Sequence, residues 1–175
     1  MRKEVEMPSD ESPTDPEPYE LLHDAIDAAA ALRSQRAVAL RALLVLEYAL
    51  TAPAPRRHRT WLHRVTTALE ALRSALDIQL HAHQDSIDLL AELALSEPDY
   101  AIPIERLRQE LLDLTIAVAS LREQIEPDPV INIDPGDIRA RLARIANRFR
   151  QHQADEADLV YQATGIELDE PLTPS

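Results

Sequence analysis

A histidine and a glutamate one helical turn apart, His152 and Glu156, fall on the apolar stripe of the last predicted helix. From Ile138 that stripe steps through Leu142, Ile145 and Phe149 and resumes at Leu159 and Ala163; carried across the gap, the same stride lands on His152 and Glu156. Positions on a stripe of 3.6-residue period face the core. A carboxylate there is costly unless a metal, a cation or a hydrogen-bond donor meets it. The residues therefore demand a buried partner, and imidazole with carboxylate is a pair that divalent transition metals accept.

Four helices position this pair. Alanine, leucine, arginine and glutamate dominate the middle of the chain, and nothing alternates as a strand does. Prolines cluster at Pro53–Pro55, Pro98–Pro103 and Pro127–Pro135. The spacing predicts helices over about 18–50, 57–95, 103–126 and 136–163, with Pro103 and Pro135 at first helical positions. Asp134 reads as an N-cap with Asp137 three residues on. Short connections favour antiparallel neighbours, so the expected fold is all-α: an up-down-up-down antiparallel four-helix bundle over residues 18–163. Residues 1–17, acidic and proline-rich, read as a disordered tail, and 164–175 as a shorter C-terminal tail.

The third helix has the cleanest stripe: Ile104, Leu107, Leu111, Leu114, Val118, Leu121 and Ile125. The second runs Val65, Leu69, Leu72, Leu76, Leu80, His83, Ile87 and Leu90, which gives His83 a core position. The first is alanine-rich and its register is ambiguous; one consistent choice passes through Tyr19, His23, Ile26, Ala30, Arg33, Ala37, Leu40 and Leu44. Counted at 1.5 Å per residue from the shared end of an up-down bundle, His23, His83 and His152 lie at depths of roughly 8, 18 and 17 Å. His83 and His152 are expected in one layer, with His23 in it or a turn away. His58, His63 and His81 are expected at the surface.

Composition narrows the function. A length of 175 residues suits one domain with tails. The absence of cysteine excludes disulfides, thiolate nucleophiles and cysteine-ligated metals. No apolar run reaches the roughly 18 residues of a transmembrane helix, and the acidic N-terminus is unlike a secretory signal, so a cytoplasmic location is expected. A net charge of −13 argues against a nucleic-acid partner. Two basic clusters stand against that charge: Arg56, Arg57, Arg59 and Arg64, and then Arg139, Arg141, Arg144, Arg148 and Arg150, the second read as the solvated face of an amphipathic helix. With no glycine-rich phosphate loop and no serine or lysine beside a base, the chain does not read as an enzyme.

The end of the fourth helix, His152-Gln-Ala-Asp-Glu156-Ala-Asp-Leu-Val-Tyr-Gln-Ala-Thr-Gly-Ile-Glu-Leu, resembles a pattern of the hemerythrin-like (HHE cation-binding) family: His, Glu four residues on, then Asp-Leu-Leu/Val-Tyr-Glu-Ala. Leu-Leu-His23-Asp-Ala-Ile26 is similar to the family's opening Leu-x-x-His-x-x-Ile, and Glu105-Arg-Leu-Arg-Gln-Glu-Leu111-Leu-Asp-Leu to its Leu-Arg-x-Glu-His-x-x-Leu. The resemblance implies a four-helix bundle with a non-haem di-iron centre. His23, His83, His152 and Glu156 match ligand positions, whereas Ile87 stands where a carboxylate is expected and Leu111 where a histidine is. Three outcomes follow: a di-iron centre; one Fe, Zn or Mn held by His23, His83, His152 and Glu156; or no metal, with Glu156 satisfied by a protonated histidine or by Arg33. The first two imply a metal-binding bundle in iron, oxygen or redox sensing. The third implies a structural or protein-interaction bundle whose partner the residues do not name.

Overall fold

The computed structural model describes the backbone of residues 18–53, 58–82, 89–125 and 134–168, and the side chains of 26–53, 59–82, 89–125 and 134–168. Five helices account for nearly all of them: α1 (Pro18–Thr51), α2 (His58–Ala82), α3 (Leu89–Ser96), α4 (Pro98–Ile125) and α5 (Pro135–Thr164). Among the described residues there is no strand, so the all-α class holds.

Prolines and caps write the boundaries. Pro98 opens α4 and disfavours helical backbone at Glu97, the one residue between α3 and α4. Glu97 N–H still donates to Leu93 O at 2.9 Å, and its own carbonyl accepts from Tyr100 N–H at 3.0 Å. The helix expected from residue 103 therefore starts at Pro98, and Pro103 lies inside it, where its ring removes a single backbone donor from the second turn. The helix expected over 57–95 is described as two, α2 and α3; residues 83–88, His83 and Ile87 among them, lie outside the described residues. Asp134 caps α5 as the spacing predicts: its backbone is extended and its Oδ1 accepts from Gly136 N–H at 3.0 Å.

Gly165 ends α5 with φ at 71°, its N–H donating to Tyr161 O at 2.8 Å. This left-handed cap turns the chain back toward α1. Residues 165–168, expected to belong to a tail, are instead held: Leu168 is buried and Ile166 packs beside it, in a cluster with Ala29, Leu32, Leu90 and Val160. Arg33 Nε donates to Glu167 O at 3.0 Å. A Cβ at Gly165 would meet nothing within 4 Å, so a substitution there acts through the backbone alone. Gly165→Ala is expected to cost about 1 kcal/mol, read as a fall in Tm of about 2–4 °C.

Two apolar clusters fill the interior. The larger takes Leu43 and Leu46 from α1, Trp61, Leu69 and Leu72 from α2, Leu114 and Val118 from α4, and Leu142 and Phe149 from α5. The second gathers around α3. All seven residues of the α4 stripe are buried, as their spacing predicts. The α1 register is corrected. Ala29, Leu32, Arg36, Ala39, Leu43 and Leu46 face inward, while Ile26, Ala30, Ala37 and Leu44 are exposed. From Ala37 to Leu50 the helix carries just two charges, so polarity does not mark an outer face. The small residues Ala39, Ala42 and Ala49 share the larger cluster with Ala68 and Ala75 of α2, and small side chains let helix axes approach closely.

Arginines tie α5 to its neighbours. Arg139 Nε donates to Leu50 O at 3.0 Å and its Nη2 to Ala52 O at 2.9 Å, with the guanidinium 5.0 Å from the Trp61 ring centroid. It thereby satisfies carbonyls at the end of α1 that have no helical partner. Arg150 pairs with Glu47 of α1, and Arg141 Nη2 donates to Gln124 of α4 at 2.7 Å. For these three the expected solvated face is replaced by bridging contacts, because an arginine stem is long enough to cross to the next helix.

Candidate functional site: a buried polar layer

Among the described residues, the buried polar or charged side chains are Arg36, Gln79, His152, Gln153 and Glu156. They come from α1, α2 and α5; Arg36, Gln79, Gln153 and Glu156 are joined by hydrogen bonds, and His152 lies one turn earlier on α5. Glu156 is fully buried. Arg36 Nη1 donates to its Oε2 at 2.7 Å and to the backbone oxygen of Gln153 at 2.6 Å. Gln79 Nε2 donates to both carboxylate oxygens, at 3.2 and 3.4 Å. Gln153 Nε2 reaches Gln79 Oε1 at 3.5 Å. The carboxylate is thus charge-paired from α1 and hydrogen-bonded from α2, which is what a buried anion requires.

His152 and Glu156 both point inward, as their place on the stripe predicts. The cation that meets Glu156 is Arg36; Arg33, the arginine on the expected register, holds Glu167 O instead. His152, 1% exposed, lies over Phe149 with ring centroids 6.5 Å apart and planes inclined at 27°. Its Nδ1 is 3.8 Å from Glu110 Oε2 of α4, longer than a hydrogen bond. Leu111, beside Glu110, is buried, so carbon fills the α4 position where the family resemblance expects a histidine.

His23 belongs to the backbone of α1 with its side chain outside the described set, and His83 lies outside the described residues altogether. The depth count that placed His83 level with His152 ran through residues 89–95, which belong to α3. Trp61 beside Arg139, and Gln79 beside Glu156, set the offset of α2 against α5. On that offset His152 is level with Ser74 and Ala75. Among the described residues, no group of three or more His, Asp or Glu side chains is gathered to hold a metal ion.

The groups around Glu156 suit a carboxylate paired with a guanidinium, not one bound to a metal ion. A metal ion on this carboxylate would sit against the positive charge of Arg36 and face the donor N–H groups of Gln79. Arg36, Gln79 and Gln153 are absent from the ligand set read from the sequence, although Arg36 and Gln79 left a signal. Leu69, Leu72, Leu76 and Gln79 step by threes and fours, and so do Ala29, Leu32, Arg36, Ala39 and Leu43. From Leu76 a step of three reaches Gln79 and a step of four reaches Leu80, and taking the apolar residue hides Gln79.

Between α2 and α4 lies a second, exposed charge cluster. Donation from Arg73 holds the Glu70 carboxyl below its ordinary value, the Arg122 charge adding to it against partial desolvation; Glu70 in turn raises Arg73. A lowered carboxyl contributes stability above its ordinary range and loses it as pH falls through the lowered value. Compared with family models, with curated proteins and with solved structures, the chain matches none.

Proposed function

We propose that this chain is a metal-free, non-catalytic helical bundle that acts in the cytoplasm as a structural or protein-interaction module. The observation that supports it is the occupied carboxylate: Arg36 neutralises Glu156 at 2.7 Å, and Gln79 donates to both its oxygens. A buried pair of this kind acts as a register key, because a helix slipped by one turn would strand both charges in the core. The proposed arrangement is up-down-up-down, formed by α1, α2, α4 and α5 with α3 as a short addition. Arg33 with Glu167 and Arg139 with Leu50 support opposed directions for α1 and α5; Glu110 near His152 and Gln124 with Arg141 do so for α4 and α5. Nucleic acid and membrane have no part in this reading. No described helix is long and apolar enough to cross a bilayer.

The hemerythrin-like resemblance carries a second reading, in which His23, His83, His152 and Glu156 hold one Fe or another divalent transition metal, or a di-iron centre. The burial of both His152 and Glu156, one turn apart on α5, favours it. Metal analysis separates the two. Untagged protein offered Fe(II), Zn(II) or Mn(II), aerobically and anaerobically, is expected to retain far less than one equivalent and to show no rise in Tm. One equivalent retained by the wild type and lost in His152→Ala would overturn the metal-free reading in favour of a mononuclear site. Two irons with charge-transfer absorption would do so in favour of a di-iron site.

A further inference from the structure

Opposite the core, α1 presents Val38, Leu44, Val45 and Tyr48, each at least half exposed and Tyr48 80% exposed. Of the two charges between Ala37 and Leu50, Glu47 is turned to Arg150 of α5, which leaves Arg41 on this outer face. An apolar helix face of this length is ordinarily covered. Val45 and Tyr48 also form one wall of a groove of about 820 Å³ between α1 and α2. Ala49, Ala68 and Ala71 give it an apolar floor, and His63 and Arg64 stand on the α2 side. Arg59, exposed, precedes His63 by one turn on the same row. Among the described residues no carboxylate lines this groove, although the chain has 31 acidic residues against 18 basic ones. Small apolar floor, aromatic wall and basic rim together define a receptor for an acidic segment with apolar side chains.

This chain contains such a segment. In Glu4-Val-Glu-Met-Pro8, an extended backbone puts Glu4 and Glu6 on one side and Val5 and Met7 on the other, and Asp10, Glu11, Asp15 and Glu17 follow. We infer that residues 4–17 of a second copy of this chain dock in the α1/α2 groove, Val5 and Met7 against the alanine floor and the acidic residues toward Arg59 and Arg64. Length sets the donor as a second copy. From Pro18 the groove lies roughly 40–50 Å along α1, counting to Val45 and Ala52. Met7 and Val5, 11 and 13 residues before Pro18, reach at most roughly 37–47 Å when pulled taut. Within one copy the segment would arrive stretched and with no length left to lie in the groove; between copies no such tether exists, and reciprocal docking closes a two-fold dimer. This inference rests on the reading of the chain as an interaction module, and metal uptake would overturn that reading without touching the association measured here.

Sedimentation of the full chain tests it, at low and high salt over about two decades of micromolar concentration. The wild type is expected to dimerise at low salt, with Kd rising about tenfold or more at high salt. Two variants should each raise Kd by a similar factor while leaving the helical circular dichroism unchanged: V5S/M7S/E4Q/E6Q in the tail and R64E/A71E in the groove, both groove positions being exposed. Should R64E/A71E lose helicity, Tyr48→Ser takes its place. Mixing E4K/E6K with R59E/R64E should restore a heterodimer. A monomer at every low-salt concentration overturns the proposal. So does a dimer indifferent to the tail variant, which would mean that the α1 faces pack on each other instead.

Discussion

Glu156→Leu is expected to lose about 3–5 kcal/mol of stability in urea titration, although it places an apolar side chain at a fully buried position. The loss comes from the partner. Arg36 is 3% exposed, and without Glu156 its guanidinium loses the buried carboxylate to which Nη1 donates at 2.7 Å, while the Gln153 carbonyl remains. Arg36→Leu should cost about as much, because it takes the guanidinium from a fully buried carboxylate. The double variant Arg36→Leu/Glu156→Leu removes both charges and should return to within about 1 kcal/mol of the wild type, or exceed it, a coupling of several kcal/mol across the cycle. A stabilising single Glu156→Leu variant would show that the two side chains are not paired in the core. A double variant that stays folded and as helical, but populates several oligomeric states, would locate the value of the pair in register rather than in stability.

The second large effect concerns the layer below. Phe149 is fully buried in the larger cluster and lies under the His152 ring. Phe149→Ala should cost about 3–5 kcal/mol, from lost transfer free energy and the cavity left in the larger cluster. At this size that is a fall in Tm of roughly 6–20 °C. Phe149→Leu, which refills much of the space, should cost less than about 1.5 kcal/mol. A loss below about 1 kcal/mol for the alanine variant would show that the ring is not packed where the structure has it. The same alanine variant frees one face of His152, so the histidine signal in proton NMR should become more solvent-like with it.

Periodicity is a sufficient guide where polar residues line the opposite face. On α4, Ile104 through Ile125 step by threes and fours between charged neighbours, and all seven positions are buried. On α5 the same reasoning finds His152 and Glu156 inside, and Asp134 at the cap. Local chemistry also marks the helix ends, except that Pro98 rather than Pro103 opens α4, because a proline in the second turn is tolerated.

What the amino-acid order alone determines is that this chain is helical, that Asp134 caps α5, and that α5 carries an anion into the core. Which cation meets that anion is decided in three dimensions. Arg33 and Arg36 lie three residues apart on α1, about 60° around the helix axis, so a small rotation exchanges them. That rotation depends on how alanines of α1 and α2 nest, and a stretch with alanine and leucine on every side carries no polarity to record it. The level of Gln79 against Glu156 is likewise set by how the helices pack, which counting residues from a helix end does not reach. The glutamate is legible as a demand for a partner; the identity of that partner is a property of packing.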